Sequence, residues 1–407
     1  MKKSIITMLG AFIAVSAMAA QNNDIYITTT NGVIKLIRPD YVGGGMTNLA
    51  SHAGDGSSAT AVAIQSDGDV IYTTASGTIY RMDQDLVFQQ NLGGFPSLVS
   101  TAVLSDDSVI AGDTNSVVYK RTPTLGFVGS FSGNGEFNDL AVQSDDDVIA
   151  ITGTDGGGNG FIYRLNSNLV VQTSRSSMGD LLSVGVQSDD EVAWGRTSGL
   201  MRLGDKDTLA DLSSNSIGLF KALAVLSDDR IVAIRSKQVV MYSADFTLLY
   251  SNYDNALGDL SAVAVMSDDK IVIANTGGEM WVLNPTTLGG VSYTTGLGAV
   301  TDIAVAQFVE PTKPATILST TMIDAGGLGT FMEIVIDAPS VATNYHPEHT
   351  IDLPGNSWTN VPHTDAIGNT LYITNLGYST ASDVTNEVIY LQTTNSAEFF
   401  KIIGEQP

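Results

Sequence analysis

Ala141-Val142-Gln143-Ser144-Asp145-Asp146-Asp147-Val148-Ile149-Ala150 is one of six copies of a single short pattern. The others run Ala63 to Ile71, Ala102 to Ile110, Gly185 to Val192, Ala224 to Val232 and Ala264 to Val272, each with an apolar run, a Ser-Asp pair and a second apolar run. The serines at 66, 105, 144, 188, 227 and 267 are 39, 39, 44, 39 and 40 residues apart. A period near 40 belongs to repeat architectures.

Outward from these copies, two partial ones complete the set. Asp24 to Thr30 and Gly32 to Ile37 match the second half of a repeat, whereas Thr301-Asp302-Ile303-Ala304-Val305-Ala306 matches a first half, as in Asn138 to Gln143. One unit is thereby split between the two ends of a seven-unit array. Each unit reads as four short strands: one before Ser-Asp, one after it, one ending in Tyr-Arg or its equivalent, and a variable fourth such as Leu86 to Leu92. Four strands repeating every 40 residues indicate a seven-bladed β-propeller. Its last blade is closed by N- and C-terminal strands, which removes the open edges of a linear stack.

Within the first strand, the residue three before each serine is Ala63, Ala102, Ala141, Gly185, Ala224 or Ala264, and Ala304 takes the same place in the split unit. Small side chains are expected where blades converge, so this strand is placed beside the central channel and expected to be buried on both faces. The Ser-Asp-Asp element is then a hairpin turn. Gly68 stands where the other copies have Asp107, Asp146, Asp190, Asp229 and Asp269, which points to a positive φ at that position.

The ends of the chain read differently. Lys2 and Lys3, the apolar run Ile5 to Val15 and Ala17-Met18-Ala19 form the pattern of a cleaved export signal, with cleavage near Ala19. Beyond Glu310, Pro311-Thr312-Lys313-Pro314 is a linker. Strand-like runs at Thr330 to Ile336, Thr370 to Leu376, Glu387 to Gln392 and Glu398 to Ile403 indicate a small antiparallel β-sandwich. The expected domains are a signal at 1–20, the all-β propeller at 21–309, a linker at 310–315 and the sandwich at 316–407.

The 407 residues contain no cysteine, so an exported chain must hold together by packing, and a lipid anchor on cysteine is excluded. The formal charge is −24, and −26 once Lys2 and Lys3 leave. Nucleic acid and anionic membrane are therefore disfavoured partners, because their phosphates would be repelled. The compartment expected is secreted, periplasmic or cell-surface, the state monomeric, and the partner an extracellular glycan or protein.

The repeats resemble the Asp-Gly-rich β-propeller repeats of exported bacterial proteins, in which a Ser-Asp-Gly-Lys turn between apolar strands is followed by Arg-Leu-Asn. Gln143 to Leu165 with Asn166 is the nearest match, and the likeness covers roughly residues 22 to 308. The tail resembles a C-terminal module of secreted proteins from certain Gram-negative bacteria, through Glu333 to Pro339, Trp358 to His363 and Ala397 to Ile402. That second resemblance implies export or surface association. Neither supplies catalytic residues.

Two sets of residues carry candidate chemistry. Asp106, Asp107, Asp145, Asp146, Asp189, Asp190, Asp228, Asp229, Asp268 and Asp269 would crowd one rim, where oxygen-rich surroundings could suit Ca²⁺; the competing reading is turn chemistry on a solvated rim. On the opposite face the loops vary. There Phe95, Phe137 and Phe220 would either stack on a sugar or peptide or cap the blade core, with Glu136, Asp139, Lys221 and Asp302 as polar partners.

Histidines are few, with only His52 in the repeats, and His346 and His349 are separated by Pro347, which disfavours a metal pair on a helix. No Gly-x-Ser-x-Gly elbow, phosphate loop or cysteine nucleophile is present. The reading is a secreted, non-catalytic binding or structural protein. The alternative is a propeller polysaccharide lyase or hydrolase, Ca²⁺-dependent or not, which requires two or more of His52, Glu136, Asp139, Lys221 and Asp302 to converge within hydrogen-bond reach in a cleft.

Overall fold

The computed structural model describes residues 22–306, save 42, 155–157 and 217, together with strand segments between 316 and 405. Contacts divide the chain into two units, Met1–Phe308 and Val309–Pro407. The first 20 residues, where the export signal is expected, lie outside the described residues.

Alternating apolar runs of four to six residues, cut by turns, cannot fill a helix face and pair instead as antiparallel strands. In the first unit they make seven four-stranded sheets. Blade 1 comprises Ala59–Ile64, Val70–Thr74, Ile79–Met82 and Phe88–Leu92, in that order from the channel outward. The innermost strands of blades 2 to 6 are Leu98–Val103, Phe137–Val142, Leu181–Val186, Ala222–Val225 and Leu260–Val265. Blade 7 joins the ends of the unit: Val300–Val305 is innermost and pairs with Ile25–Thr29 in the register Ile25↔Val305 to Thr28↔Asp302. Val33–Pro39 and Met46–Ala53 complete it.

The core lies between blades. The second strand of each is covered on both faces, and in Ile25–Thr29, Val70–Thr74, Val109–Asp113, Val148–Thr152 and Ile271–Asn275 every residue is buried. The innermost strand is different from expectation. It starts fully buried, at Leu98, Phe137, Leu181 and Leu260, but its last two residues are half-buried because seven blades leave an open channel that they line. The small position does mark close approach: a Cβ on Gly185 would come to 2.7 Å from Leu223 Cδ1 of the next blade.

The Ser-Asp-Asp turns adopt the predicted backbone, with φ of 62°, 66°, 70°, 64° and 62° at Asp107, Asp146, Asp190, Asp229 and Asp269 and 89° at Gly68. The first acid of each turn caps it locally, as Asp145 Oδ1 does by accepting the Asp147 N–H at 3.1 Å. The second acid reaches into the preceding blade. Asp146 accepts the Ser105 N–H at 2.8 Å and the Ser105 hydroxyl at 2.6 Å, one bond on each carboxylate oxygen. Asp107 does the same to Ser66, Asp190 to Ser144, Asp229 to Ser188 and Asp269 to Ser227. Asn23, also at positive φ, takes this place for Ser267 of blade 6.

Six of the seven junctions are therefore clasped. At the seventh, between blades 7 and 1, the sequence has Gln307 in the serine position and Gly68 in the acid position, so both halves of the clasp are missing together. That junction is tied at the other end of the innermost strands, where Asp302 Oδ2 accepts the Val62 N–H at 2.9 Å and the Thr301 hydroxyl donates to the Ala59 carbonyl at 2.7 Å.

In the second unit, Thr330–Asp337 pairs with Thr316–Asp324 on one side and Asn386–Gln392 on the other. Asn344–Thr350, which carries His346 and His349, pairs with Phe399–Glu405. The two histidines thus stand on a strand. The side chains of this unit, the packing of its sheets as a sandwich and residues 370–375 of the expected strand lie outside the described residues, as does the linker expected at 310–315.

Replacing Asp146 by glycine keeps the positive φ and removes the clasp. A loss of about 1–2 kcal/mol is expected in denaturant unfolding, from two charge-assisted hydrogen bonds at a solvent-exposed edge. Ser105→Ala combined with Asp146→Gly should cost clearly less than the two single losses added, and strict additivity would show that the two residues do not act as a pair.

Candidate functional site

The channel opens on two faces. On the turn face, depressions of about 540 and 370 Å³ are lined by channel-facing apolar residues such as Val186, Val225 and Val265 and by the clasp residues themselves. The ten turn acids are engaged there as caps and clasps, and among the described residues no three histidines, aspartates or glutamates gather in a metal-binding group.

On the loop face a cavity of about 370 Å³ receives at least one residue from every blade: Thr60, Thr101, Asp139, Ser183, Lys221, Ser261 and Asp302. Their position follows from the repeat, since all stand four to six residues before the serine position of the turn. Asp139 is the blade 3 counterpart of Asp302. Its Oδ1 accepts the Leu140 N–H at 2.9 Å, and its Oδ2 accepts the Val184 N–H of blade 4 at 2.9 Å. The Ser183 hydroxyl next accepts the Leu223 N–H of blade 5 at 3.2 Å. Short polar side chains at this position thus pass hydrogen bonds from blade to blade.

Both carboxyls have an edge toward the channel but sit deep in protein. Burial pushes Asp139 up to about 6 and Asp302 up to about 7. Backbone N–H bonds to each carboxylate hold the rise back, whereas the charge of Asp139 adds to it at Asp302. Lys221, at the same mouth, pairs with Asp259 at 3.5 Å.

The other residues singled out from the sequence stand elsewhere. Phe137 and Phe220 are core side chains, 0% and 2% exposed, so they cap the blade interior. Phe95 is half-buried, edge-on to Tyr119 at 4.8 Å with the Arg121 guanidinium 4.9 Å from its ring centre. Glu136 is exposed in the loop before blade 3. His52 is in the outermost strand of blade 7, stacked on Phe88 at 6.2 Å, and burial lowers its pKa. Of the five residues of which the catalytic alternative needs two or more to converge, Asp139, Asp302 and Lys221 line one cavity, and His52 and Glu136 are not among its lining residues.

No protein-family model matches the sequence, and no curated protein matches it. Solved structures do. The chain is similar to the WD40 β-propeller domain of Doa1, with a TM-score of 0.54 and 15% identity over 63% of this chain and 87% of that one. It is also similar to U3-55K, with a TM-score of 0.54 and 14% identity over 62% and 84% of the two chains. At these identities the likeness establishes the fold alone: the described residues of the first unit form a seven-bladed β-propeller. No helix among the described residues is long and apolar enough to cross a membrane.

The raised carboxyls have a signed consequence. Between an unfolded pKa of 3.8 and folded values of about 6 and 7, the folded state holds the extra protons, so these two groups favour folding below pH 4 and lose that contribution as pH rises to about 7. Each contributes a slope worth roughly 2–4 kcal/mol across that window. Asp302→Asn and Asp139→Asn should each flatten the pH dependence of unfolding free energy between pH 4 and 7 relative to the parent. Parallel curves would refute the shifts.

Proposed function

We propose that this chain is an exported, non-catalytic binding protein that uses the loop face of its propeller to hold an extracellular glycan or protein. The observation that carries this reading is the loop-face cavity, to which all seven blades contribute and whose lining varies from blade to blade while the scaffold repeats. A rigid ring with variable side chains at one mouth is suited to recognition. The turn face supports the same reading by contrast, because its repeated acids are engaged in holding blades together.

The hydrolase or lyase reading has one observation in its favour, the two carboxyls of raised pKa in one cavity. Against it, Asp139 and Asp302 each accept a backbone N–H from the neighbouring blade, which fixes them in a structural task.

Affinity electrophoresis through gels containing a panel of neutral and acidic polysaccharides, paired with assays for new reducing ends and for unsaturated products, separates the readings. Retardation by at least one polymer without product is expected. Product that disappears in Asp139→Asn or Asp302→Asn would overturn the non-catalytic reading.

A further inference from the structure

The residue that ends the second strand of each blade, at the loop face, has one task in five blades. Thr29, Thr74, Asp113, Thr152 and Asn275 each accept a backbone N–H from the turn that follows, at 3.2 Å from Val33, 3.2 Å from Thr78, 2.7 Å from Val117, 2.9 Å from Phe161 and 3.0 Å from Glu279. Blades 4 and 5 have Arg196 and Arg235 there. A guanidinium carries donors only and cannot make the cap. Two adjacent blades thus place a cation on the loop face, blade 5 through a shorter hairpin in which Arg235 pairs directly with Gln238.

Arg235 donates its Nε to Gln238 and makes no ion pair among the described residues, in a chain with 43 acidic and 19 basic side chains. Its guanidinium lies against Gly218, where a Cβ would come to 2.7 Å from Nη1. It lines two adjoining hollows of about 370 and 380 Å³. One of them is completed by Leu219, Ser236, Lys237 and Tyr253. Tyr253 is 62% exposed, and its hydroxyl donates to Asn255 Oδ1 at 3.3 Å, which also accepts from Lys237 Nζ at 3.4 Å. Asn255 therefore sets an open aromatic ring beside an ammonium, next to a guanidinium whose terminal nitrogens have no acid partner.

Guanidinium and ammonium groups recognise carboxylate and sulfate, and an exposed tyrosine presents a flat apolar face with a polar tip. We propose that the loop face of blade 5 binds an acidic saccharide, with Arg235 and Lys237 on its carboxylate or sulfate and Tyr253 against its ring. The exposed ring favours a sugar over an acidic peptide, which needs only the charges. In blade 4, Arg196 stands at the same position, its Nε buried without a partner, near Arg175 and Arg202 and near Asp211, which those two bases pair with.

This site rests on the binding reading above. The full chain is titrated calorimetrically with four probes: an oligogalacturonate, a sulfated galactan oligosaccharide, an uncharged galactan oligosaccharide and poly-glutamate. Binding of one or both acidic saccharides is expected, and which of them binds separates carboxylate from sulfate. Arg235→Gln, Lys237→Gln and Tyr253→Ala should each weaken it at least tenfold. Arg235→Thr puts at this strand end the residue type that blades 1, 3 and 7 carry there, one well suited to a strand, so it should melt no lower than the parent while losing the ligand. Absence of binding by either acidic saccharide, undiminished binding in Arg235→Thr, or poly-glutamate bound as tightly as the sugars would overturn the site. Uncharged galactan bound equally by the parent and Arg235→Thr would also overturn it, and would leave the binding reading of the loop face standing.

Discussion

The ring depends on a serine of one blade seated on the carboxylate of the next. Each blade is a sheet whose faces are apolar, and apolar burial alone is indifferent to small slides of one sheet over another. A two-point hydrogen bond is not indifferent. By engaging both oxygens of Asp107, Asp146, Asp190, Asp229 and Asp269, the serines fix the heights of blades 1 to 6 relative to one another on the turn face. The acid can reach across only because its own backbone is in the left-handed region, which aims the side chain out of its hairpin.

Closure follows the same logic at the place where the chain begins and ends. The N-terminal strand brings Asn23 to Ser267, so the ring's split blade is clasped from the N-terminal side. The junction to blade 1 lacks the clasp and is tied on the loop face by Asp302 and Thr301. A buried carboxylate in that role is costly, which is why Asp302 has a raised pKa, and two backbone donors offset part of the cost. The same economy limits what Asp139 and Asp302 can do at the channel mouth. The bases that no acid occupies among the described residues, Arg235 and Lys237 above all, are the ones the proposed site uses.

Much of this was legible in the repeat. The period, the split unit and the left-handed turn, read from Gly68 standing among aspartates, all follow from comparing copies. The clasp was not legible, because its partners are 41 to 46 residues apart, about one repeat, and nothing inside one copy points to the next. Phe137 and Phe220, read as loop residues, fit either a ligand platform or a cap on the blade core. Aligned with Ala59, Leu98, Leu181, Leu260 and Val300 they occupy a position that is apolar in every blade, which is the signature of core. Arg196 and Arg235 had the opposite signature, two bases at a position otherwise held by Thr, Asp or Asn.

Whether the turn acids hold blades or hold metal is decided most directly by the thermal melting of the full chain in saturating Ca²⁺, in Mg²⁺ and in chelator. A ligand bound only by the folded state raises its stability by mass action. With the carboxylates of Asp107, Asp146, Asp190, Asp229 and Asp269 already satisfied by serine donors, the three melting temperatures are predicted to agree to within about one degree. A large, saturable rise produced by Ca²⁺ and not by Mg²⁺ would contradict the account.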